Sequence, residues 1–211
     1  MIFTMKQEKT NFSMSWKVEE KGSTIAEIEA PFIRGQFIAE IRRGDKVQKL
    51  FFNPRDTRFG TGLEERMAFR IHEDNAPVGK MVGRTMRTGR LLGGYPYYEV
   101  DYRGEAYSGY EIGLGREGLY QCLYKGDQLI FTAEKALKTV NYQDHYEGYL
   151  LDRKDLDVAL PFLVYYDVIE YGDLMEVSMG SVKKKVVHTV SKELKAKFDP
   201  DFIPKVTALE K

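Results

Sequence analysis

The sequence predicts a mainly β protein: a closed antiparallel barrel around one central apolar helix, with an extra C-terminal helix or tail. Three observations predict it. Up to residue 151 the chain is a succession of short segments separated by turn signals, with no helical pattern between them. That is the signature of an antiparallel meander. Ten or more strands in one sheet normally close or split, because closure removes vulnerable edges. At Asp155 the alternation stops, and a compact apolar run extends from Val158 to Tyr166. Leu156, Leu160 and Leu163 fall at helical spacing, while Ala159, Phe162 and Val164 make the opposite side apolar too. A helix that is apolar nearly all round is a buried helix. It is far shorter than the roughly 18 to 20 apolar residues that cross a bilayer, so a barrel enclosing it is the favoured reading.

Composition agrees. The 211 residues are 43% hydrophobic and 13% aromatic, with 14 tyrosines, a mixture suited to pleated, half-buried surfaces. Formal net charge is zero, which argues against nucleic-acid binding. A single cysteine, Cys122, excludes an intramolecular disulfide and fits a reducing compartment. Met1 to Met5 is too short an apolar stretch for a secretory signal. The expected location is therefore the cytoplasm, peripheral to the membrane if the ligand is a lipid.

The elements can be placed in order along the chain. Phe12, Met14, Trp16 and Val18 alternate with Ser13, Ser15, Lys17 and Glu19 in a period-two strand. Gly22-Ser23 turns it into a second, Thr24 to Ala30. Gln36 to Arg43 and Lys46 to Phe52 form a hairpin across Gly44-Asp45, a glycine-first turn. Asn53 to Gly62 is loop. Arg66 to Glu73 is a strand by its Met67, Phe69 and Ile71, although Glu64-Glu65 would also permit a helix. Asp74 to Pro77 is turn chemistry. Strands are then expected at Val78 to Met86, Tyr95 to Tyr102, Ala106 to Leu114, Leu119 to Tyr124, Gln128 to Ala133, Leu137 to Tyr142 and His145 to Leu151, with a loop from Thr88 to Gly94. After the central helix, 155–170, Leu174 to Met179 could add a strand. Ser181 could cap a second helix over Val182 to Lys197, packing Val182, Val186, Val190 and Leu194 on the barrel. Residues 1–180 are thus the barrel and 181–211 a basic helical tail.

Several motifs could carry chemistry. Gly113-Leu-Gly-Arg-Glu-Gly118 matches a dinucleotide fingerprint, but that mechanism needs a helix directly after the glycines. The segment after Gly118 reads as a strand, so a glycine-rich β-corner is expected. His72, His145 and His188 are far apart and no pair has metal-ligand spacing. His145 lies between Asp144 and Glu147, yet no G-x-S-x-G nucleophile accompanies it. Asp152, Asp155 and Asp157 lack the glycine and final glutamate of a calcium loop and read as a solvated start to the helix. No cofactor, metal or catalytic residue is expected. Lys80, Arg84, Arg87 and Arg90 lie in a segment, 79–98, free of acids. Arginines there could hold phosphates with bidentate donors. Lys183, Lys184 and Lys185 form a second basic patch.

Asp144-His-Tyr146 and Tyr149, followed by Leu156 through Asp167, resemble the closing strand and apolar helix of tubby C-terminal-like proteins. That superfamily includes LURP-one-related proteins, phospholipid scramblases and small bacterial relatives. Val78-Gly-Lys-Met-Val82 and Tyr107-Ser-Gly-Tyr-Glu-Ile-Gly113 are similar in kind to the bacterial members, so the resemblance spans about residues 12–171. It implies about twelve strands threaded by the helix, and no enzyme. It also implies phosphoinositide or other lipid ligands, with no ligand residue matched position by position. The chain departs from the family at Pro161, inside the helix, and in the forty residues beyond it. The expected function is a non-catalytic binding or scaffold protein engaging anionic lipid or phosphate ligands. A protein–protein interaction module is the alternative. A hydrolase built on Asp144, His145 and Glu147 ranks third.

Overall fold

The computed structural model describes residues 1–9, 13–31, 37–52, 65–87, 94–138, 143–170 and 186–210. Twelve strands close into one antiparallel barrel. The first five are β1 Ile2–Lys9, β2 Ser13–Glu20, β3 Ser23–Pro31, β4 Phe37–Arg43 and β5 Lys46–Phe52. Next come β6 Glu65–Glu73, β7 Ala76–Arg87, β8 Gly94–Tyr102 and β9 Glu105–Gly113. β10 Leu119–Lys125, β11 Gln128–Lys135 and β12 His145–Leu150 complete it. Each strand pairs with its neighbour in sequence, and β1 pairs with β12 to close the ring, Phe3 opposite Gly148. Tight turns permit this meander. Asp74 and Asn75 both adopt positive φ, 49° and 66°, the two-residue turn whose twist matches a hairpin.

β1 adds a strand to those expected. Phe3, Met5 and Gln7 are buried at alternate positions, the same period-two pattern that marks β2. Conversely, the strand expected from Leu137 to Tyr142 is reduced to a bend and an isolated bridge at Leu137–Lys138, with residues 139–142 outside the described residues. The expected 53–62 loop, most of the 88–94 loop and the 174–179 strand also lie outside them.

Helix α1, Leu156–Glu170, fills the lumen. Ala159, Phe162, Leu163, Val164, Tyr165 and Tyr166 are all inaccessible to solvent, whichever way they point. Inward rings meet them edge-on: Tyr98 lies 5.9 Å from Phe162 and 5.7 Å from Tyr165, and Phe69 lies 4.7 Å from Tyr165. Such geometry suits the quadrupole of each ring.

Pro161 cannot donate to the carbonyl of Asp157 one turn earlier. Gln48, buried on β5, supplies the missing donor: its Nε2 lies 2.9 Å from that carbonyl oxygen. The same amide reaches Glu73 Oε1 at 2.8 Å. Around the N-terminal end of α1, Asp157 receives Arg43 and Lys46, while Glu73 receives Lys46 at 3.0 Å, Arg103 and the Tyr102 hydroxyl. Burial alone would raise the Glu73 pKa, but the hydrogen bonds from Tyr102, Arg103, Gln48 and Lys46 outweigh it and hold the carboxyl at about 2. Because the folded value is depressed below the ordinary 4.5, Glu73 contributes stability that is complete above that value. The contribution is lost as pH falls toward 2, and it amounts to at most roughly 3 kcal/mol. Denaturant melts from pH 6 to pH 2 should show a Glu73→Gln variant with a correspondingly flatter acid limb. An unchanged slope would show that Glu73 is not the group responsible.

At the other end of α1, Lys135 of β11 is buried with its Nζ 2.7 Å from Asp144, 3.2 Å from Asp167 and 2.6 Å from the Tyr146 hydroxyl. Tyr146 in turn donates to Asp167. The helix is therefore pinned at both ends by polar clusters and gripped between them by aromatic rings.

The tail departs from expectation. Residues 186–190 are not helical; α2 is only Lys192–Lys195, capped by Ser191 Oγ accepting from Leu194 N at 3.2 Å, and α3 is Phe202–Leu209. The expected valine stripe does not pack: Val190 is 92% exposed, and of that set only Leu194 is buried among the described residues. Residues 182–185 lie outside the described residues.

Candidate functional site

With α1 occupying the lumen, the basic residues singled out in the sequence lie on the outer surface where they are described. Lys80 and Arg84 both lie on the outward face of β7, two registers apart, as the alternation predicts. Lys80 is exposed, with Arg70 of β6 directly beside it and Asp101 of β8 on its other side. One register on, His72 pairs with Lys49 of β5. This outer face thus assembles Lys49, Arg70, His72, Lys80 and Arg84 from three strands. Arg70, His72 and Lys49 were not foreseen, since only strand register brings them to Lys80.

The face is not purely cationic. Arg84 Nε lies 2.9 Å from Glu99, which also accepts from the Tyr97 hydroxyl at 2.8 Å. Burial raises the Glu99 pKa, but Tyr97 and Arg84 more than offset it, so the carboxyl stays charged. Tyr97 is pushed up to about 12, by burial first and then by Glu99. The acid-free segment in sequence therefore meets acids in space. Arg87 ends β7 opposite Gly94; its side chain, together with Arg90 and Lys183, Lys184 and Lys185, lies outside the described residues.

His145 sits elsewhere, in an open groove of about 410 Å³ lined also by Lys6, Gln7, Glu8, Lys17, Glu19 and Gln143. Glu19 bonds Lys6 at 3.2 Å and Lys17 at 3.5 Å, so the groove carries balanced charge. Loss of water around the imidazole, then the Lys6 charge, lowers the His145 pKa. Asp144 does not serve His145, because its carboxylate is committed to buried Lys135.

The three aspartates near α1 also part company. Asp152 accepts from Lys154 N at 3.0 Å and pairs with Lys154 Nζ at 2.9 Å, whereas Asp157 binds Arg43 and Lys46. Asp155 is 8% exposed, so the solvated start expected for this helix is a partly buried one. Among the described residues no three His, Cys, Asp or Glu side chains converge as a metal site. No helix among them is long and apolar enough to cross a membrane.

The glycine-rich segment is a corner. A single 3-10 turn, Gly115–Glu117, leads directly into β10. Its glycines serve the tail. Thr189 N donates to Gly113 O at 2.8 Å, Gly115 N to Val187 O at 2.9 Å, and Gly113 N to Thr189 Oγ1 at 2.8 Å. A Cβ at Gly113 would stand 2.4 Å from Val187 O, and one at Gly115 2.2 Å from the His188 ring. Comparison with protein-family models, with curated proteins and with solved structures finds no match.

Proposed function

We propose that the chain is a non-catalytic binding or scaffold protein, tubby-like in architecture, that engages anionic, phosphate-bearing ligands on the outer face of β5–β7. The observation that carries this reading is the cross-strand register of Arg70 beside Lys80, with Lys49, His72 and Arg84 on the same face. Guanidinium and ammonium groups in adjacent registers can converge on one phosphate. The Arg84–Glu99 pair holds one arginine in place at the cost of part of its charge. The non-catalytic part of the reading is supported by the commitment of Asp144 to Lys135, away from His145. Vesicle sedimentation tests it. Binding to vesicles with anionic lipid, absent with neutral lipid, should fall sharply as salt shortens the screening length to about 8 Å. A Lys80→Glu/Arg84→Glu variant should lose it. Competition by soluble inositol phosphate distinguishes a headgroup site from a requirement for the bilayer. Absence of anionic preference at low salt would defeat the proposal. The interaction-module reading is favoured by a separate observation, the aromatic outer face of β9–β12.

A further inference from the structure

The outer faces of β2 to β4 are polar, carrying Lys17, Glu19, Glu27, Glu29, Glu40 and Arg42. The outer face of β9 to β12 is not. Tyr110, Ile112, Tyr120, Cys122, Leu129 and Tyr149 form a second apolar cluster, distinct from the one around α1. The tail covers it, with α2 lying on β9 and α3 on β11 and β12. Its anchors Leu194, Phe198, Phe202 and Val206 recur every fourth residue. The Phe198 ring lies tilted against Tyr120 with centroids 4.5 Å apart, Lys197 lies 5.5 Å from the rings of both Tyr110 and Tyr124, and Tyr124 donates to the Lys197 carbonyl. Ahead of the anchors, residues 187–189 pair with the corner at Gly113–Gly115 through one isolated antiparallel bridge, Leu114 opposite His188.

This combination has the elements of a peptide-recognition mode, here supplied by the chain's own tail. Backbone pairing sets the direction, apolar anchors at every fourth residue set the spacing, and an aromatic pair reads a cation. The bound segment has little order of its own, since four- and eight-residue helices are marginal in water without the surface they lie on. We infer that the β9–β12 face is a docking site for a peptide segment of a partner protein, and that the C-terminal tail occupies it in cis until displaced. The partner segment has the chemistry seen in the tail: a short extended stretch like Val187-His-Thr189, then apolar anchors four residues apart with a lysine among them. Tethering gives the tail a local concentration in the millimolar range, so a partner binds by capturing molecules in which the tail has opened.

The test uses the full chain and a synthetic peptide of residues 186–210. In hydrogen exchange on the unaltered protein, the amides of Thr189, Leu194 and Lys205 should open well before those of Cys122 and Thr132 in the strands beneath. A Phe202→Asp/Val206→Asp variant, with its tail released, should stay monomeric and bind the peptide on the order of a hundred-fold more tightly than the unaltered chain, the low end of what a tether contributes. A peptide carrying Leu194→Asp and Phe198→Asp should not bind. Tail amides that exchange only with global unfolding would overturn the inference, because the tail would then be a permanent part of the core. A variant that forms dimers and excludes the peptide would also overturn it, assigning the face to a second copy of the chain.

Discussion

Phe162→Ala should destabilise the protein by about 3 to 5 kcal/mol, the range for removing a fully buried aromatic side chain. In a domain of this size that is a fall in Tm of roughly 6 to 20 °C. Phe162 is wholly buried at the centre of α1 and packs on Tyr98 from one side of the lumen. It also sets the identity of a residue across from it. A Cβ at Gly109 would stand 2.4 Å from the Phe162 ring, so Gly109→Ala alone is an overpacking change costing about 1 to 3 kcal/mol. Once the ring is gone the clash goes with it. The double variant Phe162→Ala/Gly109→Ala should therefore be more stable than the sum of the single losses predicts, by about 1 kcal/mol or more. Equilibrium denaturation of the three variants checks this. Strict additivity would mean that the ring does not press on β9, and a loss of only a few tenths for Phe162→Ala would place α1 outside the barrel.

Lys135→Met should cost about as much, about 3 to 5 kcal/mol, for a different reason. The side chains of Lys135 and Asp167 are only 3% and 2% exposed. Methionine fills similar volume but leaves Asp167 and Asp144 buried without their cation, and an uncompensated buried charge is the expensive outcome. The companion variant Lys135→Met/Asp144→Asn/Asp167→Leu removes the charge of all three side chains and should recover a substantial part of the loss, since buried ion pairs are often neutral relative to uncharged replacements. Both measurements should be insensitive to salt, because a buried pair is screened much less than a surface one. A Lys135→Met variant of unchanged stability would show that the cluster is hydrated and not a pin for the helix.

The barrel is legible in the sequence because its signals are local. Period-two alternation, two-residue turns and a run apolar on both sides each depend on a few neighbouring residues, and twelve strands around α1 result from them. The tail is not legible, because the information that shapes it lies far away in the chain. Its lysines and valines suit a helix by spacing, yet Gly113 and Gly115 claim residues 187–189 as extended backbone through bonds across more than 70 positions. A sign of that docking is present in β10, where Leu119 to Leu123 are all buried and nearly all apolar. A strand apolar on both faces is covered on both faces, and the tail is the second cover. β1 is a different case: it alternates as clearly as β2, so its signal is local, but an apolar opening also invites comparison with a leader. The candidate site is half legible: Lys80 and Arg84 share a face as alternation requires, but Arg70 and Glu99 reach them only through register.

The closure of β1 on β12 fixes an order of events during synthesis. Ile2 is paired with Tyr149, so the first strand of the barrel must wait for the last before its free edge is covered. At a translation rate of about 5 to 20 residues per second the wait is on the order of ten seconds. α1, the segment on which the inward side chains pack, emerges later still. Until then Phe3, Met5, Trp16 and Val18, which share the core with α1 in the folded protein, lack the helix they pack around. A translational pause before α1 has left the ribosome should therefore prolong the exposure of these side chains.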